Sequence, residues 1–237
     1  MIANYLKTEA IKLFNSRSTK IISIIYVFFI LIVFSLLGLA SLASAGDEAT
    51  MGGYAIVMIS LSILPIANVI LNICNEFSSN MMKQNIINGM TRNQFILSKC
   101  LSNLILSIYY TLLFFLFALL LSRGMIQYTI HYGFSLFFVF SIASSFAFIF
   151  KKTGVAIAVF YAYYLFGELF IYSRLLTLID IKFDSIIESA SVILSFSTKA
   201  NFLLFVPDMR LTGLLACLVI IVLMLGLQSL SIRNRSL

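Results

Sequence analysis

Six apolar runs divide the chain, at Ile21 to Ala43, Tyr54 to Cys74, Leu101 to Leu121, Tyr132 to Phe150, Val155 to Tyr172 and Leu211 to Leu230. A bilayer core about 30 Å thick takes roughly 20 residues of helix, so each run predicts a membrane-crossing helix, the fourth and fifth being the shortest. The polar residues between the runs sort by sign. One set of connections carries eleven basic residues: Lys7, Lys12, Arg17, Lys20, Lys83, Arg92, Lys99, Lys151, Lys152, Arg233 and Arg235, with only Glu9 and Glu76 as acids. The opposite set carries five basic residues, Arg123, Arg174, Lys182, Lys199 and Arg210, with Asp47, Glu48, Asp180, Asp184, Glu188 and Asp208. The positive-inside rule then places both termini in the cytoplasm, and an even number of spans agrees.

Composition narrows the class. Of 237 residues, 61% are apolar and 11% charged, with a mean hydropathy of +1.06. Soluble folds carry about 25% charged residues, so a soluble domain is excluded. The loops leave no room for a catalytic domain of about 100 residues. The net charge of +7 is spent on topology and gives no reason to expect nucleic acid as a partner. Cys74, Cys100 and Cys217 are an odd set without a C-x-x-C pair, so neither a disulfide nor a structural metal is expected. The run from Ile21 is too long for the core of a cleaved signal peptide. With no Trp, aromatic belts fall to Tyr, including Tyr26, Tyr109, Tyr110, Tyr132 and Tyr164, although several of these sit well inside a run. Ser141, Ala143, Ser144, Ser145 and Ala147 make the fourth span the one to pack centrally, because small residues let helices approach in lipid.

Two further segments are amphipathic or capped. Within residues 1–20, Ile2, Tyr5, Leu6, Ala10 and Leu13 share an arc, the pattern of a helix lying in the interface. Glu9 interrupts that arc and needs a partner such as Lys12 at i+3. An ordinary positive anchor before a first span fits the same pattern. Between the second and third runs, Ser79 or Asn80 can start a short helix of MMKQNIIN, and Gly89 supplies the left-handed position that ends it. Thr91 and Gln94 form a capping box that starts the next helix, running through Phe95 and Lys99. Met81, Met82, Ile86 and Ile87 give the short helix an apolar side suited to an irregular groove in another protein. An interfacial loop dipping into headgroups is the other reading. The 38-residue connection from Ser173 to Arg210 holds two apolar bursts too short to span, which predict re-entrant or surface helices.

Glu76 and Phe77, then Lys83 to Gly89, then Thr91 and Arg92 with Phe95 and Lys99, together resemble the type-2 ABC transporter permeases with the type V exporter fold. No nucleotide-binding domain precedes the spans, so the resemblance is to a bacterial half-permease. It implies an all-α polytopic membrane protein forming one permease domain over 1–237. That domain has six spans, an N-terminal interfacial helix, a cytoplasmic coupling helix between spans two and three, and re-entrant or surface helices between spans five and six. It also implies a multi-pass protein of the bacterial plasma membrane, paired with a second copy or a similar chain. Glu76, Met82, Lys83, Ile86, Gly89, Arg92 and Lys99 would couple it to cytoplasmic ABC ATPase subunits, and Glu76 would pair with Lys12, Arg92 or Lys99. An interfacial acid that merely lowers local charge density is the plainer role for Glu76. The chain has no G-x-x-x-x-G-K-[ST], so it cannot cradle phosphates by the usual loop, and the resemblance implies no cofactor in this chain, with ATP and Mg on the partner ATPase.

Other chemistry is sparse. The single His131 excludes H-E-x-x-H and any metal cluster built on histidine. Glu168 is the one acid inside a span, where it can pair with Arg174 at the outer edge, line a substrate path or carry a proton. Pro65 predicts a kink in the second span, and Asn68 and Asn72, at i and i+4, need partners either in a neighbouring helix or on a substrate. With 23 Phe and 9 Met, a central path suits a lipid, an amphipathic peptide or a hydrophobic drug. The rival functions are a proton-coupled secondary transporter using Glu168 and a non-transporting immunity or assembly factor.

Overall fold

The computed structural model describes residues 2–43, 47–79, 81–121, 126, 129–164 and 210–233. Among them are eight helices: α1 (Ile2–Asn15), α2 (Arg17–Ala43), α3 (Asp47–Ser78), α4 (Met81–Ile87), α5 (Arg92–Leu121), α6 (Thr129–Phe150), α7 (Thr153–Ala162) and α8 (Arg210–Arg233). No strand occurs among the described residues. Each of the six apolar runs is helical wherever it is described. Leu61–Ser78, Arg92–Leu120 and Tyr132–Phe150 are long and apolar enough to cross a membrane, and a fourth span results if α1 and α2 are joined across their bend. α7 and α8 contribute apolar stretches shorter than a span, Thr153–Ala162 and Ile221–Ile232. The molecule is therefore a helical protein built to be embedded in a membrane, with three to four such spans among its described residues. Glu168 and the re-entrant segments expected between 173 and 210 lie outside the described residues.

The bundle is organised around α6, as its small residues predict. That helix packs against α3, α5, α7 and α8, and 67% of its apolar window is buried. Ala143, Ser144, Ser145 and Ala147 allow the close approach. Gly133 does the same on the α5 side, where an added Cβ would fall 2.9 Å from Thr111 Oγ1. Outward, α2 presents Ile24, Phe28 and Ile32, α5 presents Leu112, Leu116 and Leu120, and α8 presents Val222 and Leu223. Apolar surface that continuous suits lipid far better than water.

Helix ends follow local chemistry. A 65° bend separates α1 from α2 at Ser16, whose Oγ accepts the Thr19 amide at 3.1 Å and so caps α2. That cap was not foreseen, because its third residue is Thr and not the Glu or Gln of a capping box. Pro65 sits inside α3, and the Tyr161 hydroxyl of α7 donates to the Ile63 carbonyl two residues before it. The tyrosine belt needs correction. Tyr26, Tyr110 and Tyr132 are buried in the bundle, the Tyr26 and Tyr132 hydroxyls meeting at 2.8 Å and Asn68 Nδ2 donating to Tyr110 at 2.9 Å. A phenol inside lipid satisfies its hydroxyl on another helix when no interface is within reach.

Candidate functional site

Four charged residues gather at one end of the bundle, around the base of α3. Glu76 lies in the last turn of α3, where the helix dipole already presents partial negative charge, so the carboxylate needs cations to be tolerated there. Two lysines supply them. Glu76 Oε1 accepts Lys12 Nζ from α1, and Lys99 Nζ from α5 at 2.7 Å. Lys99 donates at 2.7 Å to Glu9 Oε2 as well, and Ser102, one turn further along α5, reaches the same oxygen at 3.0 Å. Lys12 lies 3.9 Å from Glu9 Oε1, the i,i+3 pairing expected within α1. Four charged side chains and Ser102 thus join three helices, and Lys99 at their centre is only 3% exposed. Burial works to raise the Glu9 carboxyl pKa, but the Lys99 charge and hydrogen bond, with Lys12 and Ser102, outweigh it and hold the group below its ordinary value.

Next to this cluster stands α4, a rod with its own stop signal. Gly89 takes φ +92°, its amide donates to the Ile86 carbonyl, and the Met90 amide donates to Asn85, both at 3.0 Å. This is the paired closure of a Schellman motif, which a residue with a Cβ makes only under strain. The capping box that follows is reciprocal. The Thr91 amide donates to Gln94 Oε1 at 2.9 Å and the Gln94 amide to Thr91 Oγ1 at 3.3 Å. Ser79 does not start α4. Its Oγ donates back to the Glu76 carbonyl at 3.4 Å, while Asn80, the other candidate cap, lies outside the described residues.

The apolar side chains of α4 divide into two groups. Met82 is buried and Ile86 packs beside it against the core, whereas Ile87 is 83% exposed and Met81 and Lys83 also face outward. Of the two apolar pairs expected to form a single docking side, one therefore anchors the rod and the other is offered. Phe77 adds to the anchorage, meeting Phe95 and Phe148 edge-on with Lys151 Nζ 5.1 Å from its ring centre. Arg92 does not reach Glu76. It donates to the Ile232 carbonyl at 3.4 Å, drawing the end of α8 to the start of α5.

Asn68 and Asn72 are committed to helix contacts. Asn68 Oδ1 accepts Thr19 Oγ1 at 3.2 Å and Asn72 Nδ2 at 3.0 Å, so a polar thread ties α2, α3 and α5. Two contacts and one backbone conformation carry no local sequence signal of their partners or geometry: the Glu9 to Lys99 bond, the Gln228 amide, and the left-handed Lys151 at φ 56°. Gln228 of α8 is buried and donates to Ser144 Oγ at 2.9 Å and Ser145 Oγ at 3.0 Å of α6. Its signal was available, since a lone amide in an apolar run needs an interhelical partner. Among the described residues no group of three or more His, Cys, Asp or Glu side chains assembles that would hold a metal ion. Comparison of the chain with family models and with curated proteins gives no match to either.

Proposed function

We propose that this chain is the six-span permease subunit of an ATP-driven ABC exporter, with α4 as the coupling helix. The observation that carries the reading is α4 itself, a two-turn rod closed by its own Schellman motif and followed by a separate capping box, which presents Ile87, Met81 and Lys83 outward. A plain tether between two spans needs none of this. The ionic cluster supports the same role. It fixes the foot of α3 to α1 and α5, so a push on α4 is delivered to several helices as one body, as rigid-body transmission requires.

In this reading the end bearing Lys12, Lys83, Arg92, Lys99 and Lys151 is cytoplasmic, both termini lie there, and the membrane is the bacterial plasma membrane. A separate ATPase binds ATP and Mg and receives α4 in a groove. The chain pairs with a second copy or a similar chain, and the cargo that crosses between them is hydrophobic or amphipathic. Glu9 and Lys12 act through the ionic cluster, and Asn68 and Asn72 hold helices together without lining the path.

Co-expression with an ABC ATPase encoded beside this chain tests the reading. The ATPase should co-purify with the wild type and be lost from Ile87→Asp, whose exposed position leaves the fold intact. A chain that purifies alone and monomeric in mild detergent, with that ATPase present, overturns it.

A further inference from the structure

Four of the cations at this end of the bundle have partners within the protein. Lys12 and Lys99 hold Glu9 and Glu76, Arg92 donates to the Ile232 carbonyl, and Lys151 lies over the Phe77 ring. Lys7, Arg17 and Lys20 are different: all three are exposed, and none forms an ion pair among the described residues. They share one surface. Exposed positions recur at Lys7, Ile11, Phe14, Arg17, Ile21 and Ile24, steps of three or four residues that carry a single stripe from α1 through the 65° bend into α2. Lys20 stands beside Arg17, at i+3 on the same helix.

On α2 the stripe passes from charge to hydrocarbon. Arg17 and Lys20 lead directly into Ile21 and Ile24, which are 57% and 59% exposed, and Phe28 follows at 64%. Large apolar side chains that open belong against acyl chains. Arg17 lies roughly 6 Å of helix before Ile21, the depth over which hydrocarbon gives way to headgroup, so the two cations stand at the phosphate layer. Arg offers a planar fork of donors and Lys a compact charge, and their i,i+3 spacing brings both to one phosphate. Lys7, about 15 Å of chain earlier on the helix path, is too far to share it. The two acids nearby, Glu9 and Glu76, are already held by Lys12 and Lys99, so the charge of the Arg17 and Lys20 pair is left for a ligand. A headgroup with its own ammonium brings a cation back to that pair, and a net negative headgroup does not. We propose that the α1–α2 elbow binds a phospholipid with a net negative headgroup, the phosphate held by Arg17 and Lys20 and an acyl chain laid along Ile21, Ile24 and Phe28. Ile11 and Phe14 enter the same leaflet beside it, and Lys7 reaches back to the surface. This assignment rests on the membrane setting of the chain and stands apart from the permease reading.

Lipid retention by the full chain in mild detergent, measured by native mass spectrometry, tests it. Dioleoyl phosphatidylglycerol and dioleoyl phosphatidylcholine are offered in equal amounts at low ionic strength. Each basic residue at an anionic surface strengthens binding roughly fivefold, so the glycerol lipid should be retained about 25-fold over the choline lipid. Arg17→Gln and Lys20→Gln, both at exposed positions that leave the fold intact, should each lower that ratio roughly fivefold, and the double variant should bring it close to one. Arg17→Lys should keep most of the preference. Lys152→Gln removes an equally exposed cation from the turn between α6 and α7 and should leave the ratio unchanged. Equal retention of the two lipids by the wild type, a preference surviving in the double variant, or a fall in Lys152→Gln as large as in Arg17→Gln would overturn the proposal. So would displacement of the lipid by an equal concentration of glycerophosphoglycerol, which would make the site one for a soluble anion.

Discussion

Replacing Lys99 with Met keeps most of the side-chain volume but removes the ammonium shared by Glu9 and Glu76. The attraction removed is large before solvation is counted. At an effective dielectric of about 20, each 2.7 Å contact is worth roughly 6 kcal/mol. Desolvating the ammonium offsets much of this, and deleting one member of a buried ion pair typically costs about 3–5 kcal/mol because the partner is left buried and uncompensated. Here two partners are left. Lys12 still reaches Glu76, but its side chain is 34% exposed, so its compensation is screened. The expected loss for Lys99→Met is therefore about 3–5 kcal/mol, or a fall in the unfolding midpoint of roughly 10 °C for a chain of this length. Thermal unfolding of the purified protein in mild detergent reads it. A double-mutant cycle with Glu9→Gln should return a coupling above about 1 kcal/mol. Additive effects in that cycle, or a loss under about 1 kcal/mol for Lys99→Met, would mean that Lys99 does not hold α1 to α5.

Other expectations concern neighbouring features. Because the Glu9 carboxyl is held below its ordinary value of 4.5, its contribution is complete above that pH and is lost as pH falls through the lower folded value. Unfolding of wild type and Glu9→Gln compared from pH 7 downward should converge in that acid range, and parallel curves would contradict the shift. Gly89→Ala should cost about 1–2 kcal/mol and speed hydrogen exchange across 85–90, since an added Cβ meets nothing within 4 Å and only the φ of +92° resists it. Asn68→Leu should cost about 1–3 kcal/mol by removing the donor to the buried Tyr110 hydroxyl and the acceptor of Thr19, while Thr19 and Asn72 keep each other, and a neutral result in the same unfolding assay would show that water fills the amide's place.

Much of this arrangement can be read from the residues, and the parts that cannot share a physical cause. Gly89, Thr91 and Gln94 act within one or two turns of chain, so their geometry is fixed by neighbours in sequence and appears as expected. Small residues in α6 likewise announce a central helix. The orientation of α4 is legible in the spacing of its apolar residues. At about 100° per residue, Met82 and Ile86 lie on one side while Ile87 lies well round from them, so the four apolar residues never formed one face. Partner choice is different. Glu76 had Lys12, Lys99 and Arg92 within plausible reach, and only the packing of α1 on α5 and of α8 on α5 decides that the first two bind it and the third goes to Ile232. Tyr26 and Tyr132, 106 positions apart, find each other for the same reason, and no local pattern signals such a pair.

Site-specific photocrosslinking asks most directly whether α4 is seated in an ATPase. A benzophenone amino acid is placed at the outward Ile87 and, as a control, at the exposed Leu116 of α5, in cells co-expressing an ABC ATPase with this chain. The account predicts a crosslink to the ATPase from position 87 and none from position 116. Labelling of lipid alone from position 87, with the ATPase present and untouched, would contradict it.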